Sequence, residues 1–169
     1  MATILETKEW IMTAATTRHT HIKLKICAFL EYLSLVRHSV RTVADNIGMN
    51  IEQAEAVTLA VQEALTNVIK HSYGGPCNEK IIIRISELQG PKFPNGAMEI
   101  SIRDYGKAVD PEKIIGRNLD DIKPGGLGVH IIKSIMDQSN YFKMADKGME
   151  LTMIKIVNKD TSVKASCPH

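Results

Sequence analysis

Val61-Gln62-Glu63-Ala64-Leu65-Thr66-Asn67-Val68-Ile69-Lys70-His71 is the stretch whose reading decides the fold. It lies in a helix read over residues 51–71, where Val57, Val61, Leu65 and Val68 recur at helical spacing and make one apolar stripe. At about 100° per residue, Glu63, Asn67, Lys70 and His71 gather on the opposite side, so a carboxylate and a carboxamide stand one turn apart. An amphipathic helix with a solvated polar face accounts for this pattern by itself. A ligand-bearing face needs support from elsewhere in the chain.

Downstream, the helix is halted by Tyr73-Gly74-Gly75-Pro76. Residues 80–86 are rich in isoleucine, and Met98, Ile100 and Ile102 alternate with Glu99, Ser101 and Arg103. Two strands therefore flank a turn region over 90–96, as a hairpin with a long turn. Asp104-Tyr105-Gly106 ends the second strand, and Asp110-Pro111 opens a charged, irregular segment reaching Pro124, whose length and polarity suit a cover. Residues 127–138 carry Val129, Ile132, Ile135 and Met136 at helical spacing and start directly on Gly125-Gly126-Leu127-Gly128. Residues 141–145 and 149–157 read as a last pair of strands.

Upstream, residues 32–47 form a helix with Leu33, Val36, Val40, Val43 and Ile47 on its apolar side, Arg37 and Arg41 one turn apart on another side, and Gly48 at the C-terminal cap. Before it, Ile22, Leu24 and Ile26 alternate with Lys23, Lys25 and Cys27, the period of a half-buried strand. Residues 1–20 have no clear period. The expected organisation is a tail over 1–21, one domain over 22–157 and a second tail over 158–169. Its order of elements implies an α+β fold, a two-layer sandwich with helices on one face of a mixed, mostly antiparallel sheet.

Composition narrows the function. The chain has 169 residues, 44% of them hydrophobic, enough for one soluble domain with a core. Lys and Arg number 21 against 19 acids, a balance of +2 that gives no electrostatic case for nucleic acid or an anionic membrane as main partner. Cys27, Cys77 and Cys167 are odd in number and scattered, which indicates reduced thiols in the cytoplasm and neither a disulfide framework nor a zinc site. His19 and His21 lack further metal ligands nearby and are read as tail. Glu6 and Glu9 interrupt the first twenty residues, and no apolar run approaches about 18 residues, so secretion and membrane spanning are both disfavoured.

A glycine-rich turn feeding a helix presents unpaired N–H groups at the positive end of the helix dipole, and Gly125, Gly126 and Gly128 would let phosphate oxygens approach closely. No Gly-Lys-Ser/Thr follows and no strand precedes, so neither the Walker nor the Rossmann pattern applies. A tight helix lead-in explains the glycines equally well, as an Asx turn explains Asp104 and Gly106.

Taken together, an asparagine-bearing helix, Asp-x-Gly and Gly-x-Gly in that order, with a charged lid between the last two, resemble the Bergerat-type ATP-binding fold of gyrase, the Hsp90 chaperones, sensor histidine kinases and MutL. One branch matches in detail. Glu63-Ala-Leu-Thr-Asn67-Val-Ile-Lys-His71-Ser-Tyr73, Asp104-Tyr-Gly106 and Gly125-Gly-Leu-Gly128 resemble the anti-sigma-factor serine/threonine kinases of the histidine-kinase-like (GHKL) superfamily, from about Lys23 to Val157. The resemblance implies that Asn67 holds Mg²⁺ against the phosphates of ATP, that Glu63 is the general base, and that Asp104 accepts from the adenine amine while Gly106 makes room for the ring. It also places His71 and the lid residues Gly125, Gly126, Leu127 and Gly128 at the nucleotide, and Arg37 of Ser34-Leu-Val-Arg37 at the protein partners. Those implied partners are a sigma factor, an anti-anti-sigma factor that is the phosphorylated substrate, and a second copy of the chain in a homodimer.

Two departures from the pattern stand out. Where many members have Gly-Thr, this chain has Gly148-Met149, which leaves Thr152 as the substitute for the second adenine contact. Arg117 and Lys123 of the lid match no fixed phosphate ligand. His38 lacks the acidic and proline neighbours of a phosphoacceptor histidine, which argues against a sensor kinase. The rival to a kinase is a nucleotide-gated binding module that sequesters a partner without phosphotransfer.

Overall fold

The computed structural model describes residues 15–111 and 127–158. Strand β1 (Thr17–Ala28) leads through a short 3₁₀ turn (Leu30–Tyr32) into helix α1 (Leu33–Asn46), which is followed by α2 (Ile51–Asn67). A π-helical turn (Val68–Ser72) ends α2; then come β2 (Cys77–Gly90), β3 (Phe93–Arg103), α3 (Leu127–Ile135), β4 (Gln138–Lys143) and β5 (Met149–Ile156). The element order matches the expectation.

The strands form one sheet in the order β1-β2-β3-β5-β4, and every pairing among them is antiparallel. The expected mixed sheet is therefore corrected to an antiparallel one. Both hairpins, β2/β3 and β4/β5, supply antiparallel neighbours, and β5 completes the sheet by pairing β3 from Ala97↔Ile156 to Arg103↔Glu150. The β2/β3 turn is also tighter than expected. Both strands continue inward until only Pro91 and Lys92 separate them, and Gly96 lies inside β3.

Period-two alternation sends Ile81, Ile83 and Ile85 of β2, Ile100 and Ile102 of β3, and Leu151 and Met153 of β5 into the core. Against them lie Val36, Val40 and Val43 of α1, Val57, Val61 and Leu65 of α2, and Ile132 of α3. Each such aliphatic side chain contributes about 1.5–3 kcal/mol on burial. Helix α2 is pinned at its N-terminal end by two polar contacts. Asn50 caps its start by accepting from the Gln53 N–H at 2.8 Å, and the Gln53 amide donates to the Ile156 carbonyl at 3.1 Å, tying α2 to the end of β5.

The other face of the sheet carries Arg18, Thr20, Arg84, Ser86, Glu99, Ser101 and Thr152 around one polar depression. Strand β1 reaches back to Thr17, so residues 17–21, expected as tail, belong to the sheet. Arg18 pairs with Glu99 at 2.8 Å, Thr20 with Ser86 at 3.0 Å and His21 with Glu87 at 3.3 Å, cross-strand contacts that hold a stretch without apolar alternation.

Candidate functional site

Asp104 is the first residue past β3 and is only 2% exposed. Its Oδ1 accepts the Gly106 N–H at 2.9 Å, and its own N–H donates to the Met149 carbonyl at 3.0 Å. Burial pushes its pKa up, opposed by hydrogen bonds from the Gly106 and Met149 N–H groups, the nearby Arg103 charge and the Ser72 hydroxyl.

The surroundings fix this carboxylate. Arg103, 5% exposed, donates to Asp146 Oδ1 at 2.7 Å and to the carbonyls of Lys147, Met149 and Asp104, clamping the 146–148 turn onto the Asp104 loop. Tyr105 lies between Arg103 and Lys80, whose charged groups stand 4.3 and 4.4 Å from its ring centre. The Tyr73 hydroxyl accepts the Tyr105 N–H at 2.8 Å and donates to the Lys80 carbonyl at 2.7 Å, while burial pushes its pKa up to about 12.

Gly106 has a packing task in the ligand-free fold. A Cβ there would stand 2.4 Å from the Ser72 carbonyl oxygen, which accepts the Lys107 N–H at 2.9 Å. The space freed by the missing side chain is filled by the π turn, so the glycine lets the Asp104 loop lie against the end of α2.

That π turn departs from the continuous helix expected to His71. Its Tyr73 N–H donates back to the Val68 carbonyl at 3.1 Å, five residues earlier. The widened turn puts His71 and Ser72 on the wall of the same cavity as Asn67 and Asp104. The cavity measures about 130 Å³, with Val68, Ile102, Met149 and Leu151 as apolar walls and Tyr141 of β4 beside them. Engineered cavities of about 150 Å³ accept a benzene ring, so this one has the scale of a single aromatic ring.

Thr152 does not join it. Along β5 the alternation carries Met149 and Leu151 to the cavity, and Glu150 and Thr152 to the polar depression on the opposite face. The expected second adenine contact is corrected accordingly. Met149, Ser72 and Tyr141 stand at the cavity where sequence reasoning sought Thr152.

Asn67, on the cavity wall, also converges with Glu63 and Gly128. A Cβ on Gly128 would lie 2.9 Å from Asn67 Nδ2, 3.1 Å from Glu63 Oε2 and 3.3 Å from Asn67 Oδ1. The first turn of α3 thus lies directly on the two polar residues of α2, and a side chain at 128 would push both of them back. Leu127 opens α3 and is 55% exposed, pointing away from the core. Gly125, Gly126, Arg117 and Lys123 fall outside the described residues. The donor set fits a nucleotide with Mg²⁺: the Asn67 amide oxygen is a hard ligand of the kind this ion takes, with the Glu63 carboxylate left as a proton acceptor, beside a helix start suited to phosphate.

Arg37 is exposed on α1, and its guanidinium donates to Gln62 Oε1 at 3.1 Å across to α2. Arg41, expected as ordinary surface charge, pairs with Asp45 on its own helix and with Glu55 of α2. Both arginines line a groove between α1 and α2, with Leu59 at its edge, 44% exposed. Gln62 is the immediate neighbour of Glu63, so this groove and the Glu63 site share one helix. No helix among the described residues is long and apolar enough to cross a membrane.

Comparison with known proteins agrees with this arrangement. Residues 26–155 match the model of the histidine kinase-like ATPase domain. The chain is 30% identical over 152 residues to serine-protein kinase RsbW of Staphylococcus aureus strain bovine RF122 / ET3-1, covering 85% of this chain and 91% of that one. The RsbW of strain MRSA252 matches to the same extent. Among solved structures, the SiaB-SiaC complex from Pseudomonas aeruginosa superposes with a TM-score of 0.56 at 11% identity, over 82% of this chain and 90% of that one, a likeness of fold. With a family model spanning most of its length and relatives at this identity, the chain belongs to the histidine kinase-like ATPase domain family.

Proposed function

We propose that the chain is a cytoplasmic, Mg·ATP-dependent protein serine/threonine kinase that holds a sigma factor and phosphorylates that factor's antagonist. The observation that carries this reading is the convergence of Glu63 and Asn67 on Gly128, with Asn67 also on the wall of the cavity that holds Asp104. That connection supports a reading in which the cavity takes the base, Asn67 the metal at the phosphates and Glu63 the acceptor hydroxyl.

Asp104 accepts a hydrogen bond from the exocyclic amine of the base, and Val68, Ile102, Met149 and Leu151 cover its faces. The N–H groups at the start of α3 receive phosphate oxygens. Asn67 would ligate the metal through its amide oxygen, and Mg²⁺ when bound neutralises phosphate charge during transfer. Glu63, one turn before Asn67, takes the proton from the acceptor hydroxyl as its oxygen attacks the γ-phosphorus, and ADP leaves. The α1/α2 groove with Arg37 is the docking face for the protein partners. Its junction with Glu63 through Gln62 supports delivery of a docked serine or threonine to the base. A homodimer is part of the same reading.

Glu63→Gln separates this reading from a nucleotide-gated module that binds a partner without transfer. The variant keeps nucleotide affinity and loses roughly 10²- to 10⁴-fold in phosphotransfer to the antagonist, the usual contribution of a general base. Transfer at the parental rate by the variant returns Glu63 to a solvated helix face. A parental protein that binds its partner tightly and transfers nothing favours the binding module.

A further inference from the structure

Tyr141 lies in β4 opposite Leu151 of β5, and the alternation of that strand sends Asn140 and Phe142 to the outer depression while Tyr141 turns inward. Its side chain lines the cavity that holds Asp104, next to Met149 and Leu151. Burial alone pushes the phenol pKa up to about 12. Among the described residues its hydroxyl has no hydrogen-bond partner, and no orphaned polar atom is sealed in the interior, so the hydroxyl remains open to an incoming group. Water reaches that hydroxyl, and a ligand acceptor can take the place of the water. Of the hydroxyls near Asp104, that of Ser72 is turned to the carboxyl, and that of Tyr73 is taken up by the Tyr105 N–H and the Lys80 carbonyl. Met149 presents a thioether with no donor, and Thr152 is on the other face of the sheet.

We propose that Tyr141 contacts the nucleobase and helps determine base specificity, its hydroxyl donating to a ring nitrogen of adenine while Asp104 accepts from the exocyclic amine. The inference rests on the nucleotide reading of the site. The two groups are complementary in kind: the carboxylate offers only acceptors, the ring nitrogens of adenine are acceptors as well, and a phenol is the donor that the cavity otherwise lacks on its β4 side. A site built with both a donor and an acceptor rejects a base that cannot answer both.

The test is calorimetric titration of the full-length chain and its Tyr141→Phe variant with Mg·ATP and with Mg·ADP, alongside thermal melting of the ligand-free proteins. Loss of one neutral hydrogen bond weakens binding about two- to tenfold, by the same factor for both nucleotides because the base is common to them. The ligand-free melting temperature is not lowered, since the hydroxyl gives up no protein partner. Unchanged affinity in the variant, with the parent binding normally, overturns the inference and leaves the nucleotide site standing. A loss much larger for ATP than for ADP places the hydroxyl at the phosphates and overturns it too. A ligand-free variant that melts several degrees lower assigns the hydroxyl a structural bond instead. No binding of either nucleotide by the parent overturns the nucleotide reading itself, and this inference with it.

Discussion

Replacing Gly128 by Ala tests whether the start of α3 and the polar face of α2 form one working unit. The added methyl would sit 2.9 Å from Asn67 Nδ2 and 3.1 Å from Glu63 Oε2, so both side chains must withdraw by several tenths of an ångström. Overpacking in a tight site costs about 1–3 kcal/mol, and here the obstacles are ends of side chains, which places the cost at the lower end. Alanine in a helix returns about 0.5–1 kcal/mol relative to glycine. The two nearly cancel, and the ligand-free melting temperature should move by no more than about 4 °C. Catalysis has no such compensation. A misplacement of about 1 Å at reacting groups costs roughly 10²-fold, so a displacement of several tenths should slow phosphotransfer by roughly tenfold or more. Single-turnover transfer from labelled ATP to the antagonist, read beside a melting curve, measures both effects. Transfer at the parental rate in a normally folded Gly128→Ala protein would refute the claim that Glu63 and Asn67 must hold their positions under α3.

Two further outcomes follow from the same geometry. Asp104→Asn presents an amide donor toward the base amine and should weaken ATP binding by tenfold or more in calorimetry. It also has a stability signature: because the folded pKa of Asp104 is raised, the unfolded chain ionises first as pH climbs past about 3.9, and the parent loses stability until the folded carboxyl has ionised as well. The melting temperature of the variant relative to the parent should therefore be higher at pH 7 than at pH 4, and a difference that does not vary with pH would show that burial does not disfavour the charge. Arg37→Ala should weaken binding of the sigma factor or the antagonist by about 2 kcal/mol while ATP affinity and melting stay parental, as titration with each partner would show.

Much of the fold was legible because apolar residues repeat at periods of 2 and 3.6 wherever an element has one buried face. Val36, Val40 and Val43 of α1 and Ile81, Ile83 and Ile85 of β2 are examples, all in the core. The start of β1 escaped because Arg18, His19, Thr20 and His21 bury no aliphatic face; pairing with β2 and with Glu99 holds them instead. The π turn escaped because nothing in Val68–Ser72 distinguishes it from another turn of α-helix. Within the site, Glu63, Asn67, His71 and Asp104 announced themselves by motif. Thr152 was misplaced although the signal was present: in Met149–Ile156 it shares parity with the charged Glu150, while Met149 and Leu151 share the other. Ser72, Tyr141 and Arg103 carry no motif of their own. Their place in the site comes from strand register and from the close approach of Gly106 to Ser72, neither of which local sequence encodes.

The central claim is that the Asp104 cavity and the Glu63, Asn67 and Gly128 cluster form one Mg·nucleotide site. Calorimetric titration of the purified chain with ATP, in Mg²⁺ and again in excess chelator, tests it most directly. The account predicts saturable binding of one nucleotide per chain, clearly weakened when the metal is withdrawn. Absence of binding in both buffers at millimolar ATP would contradict it.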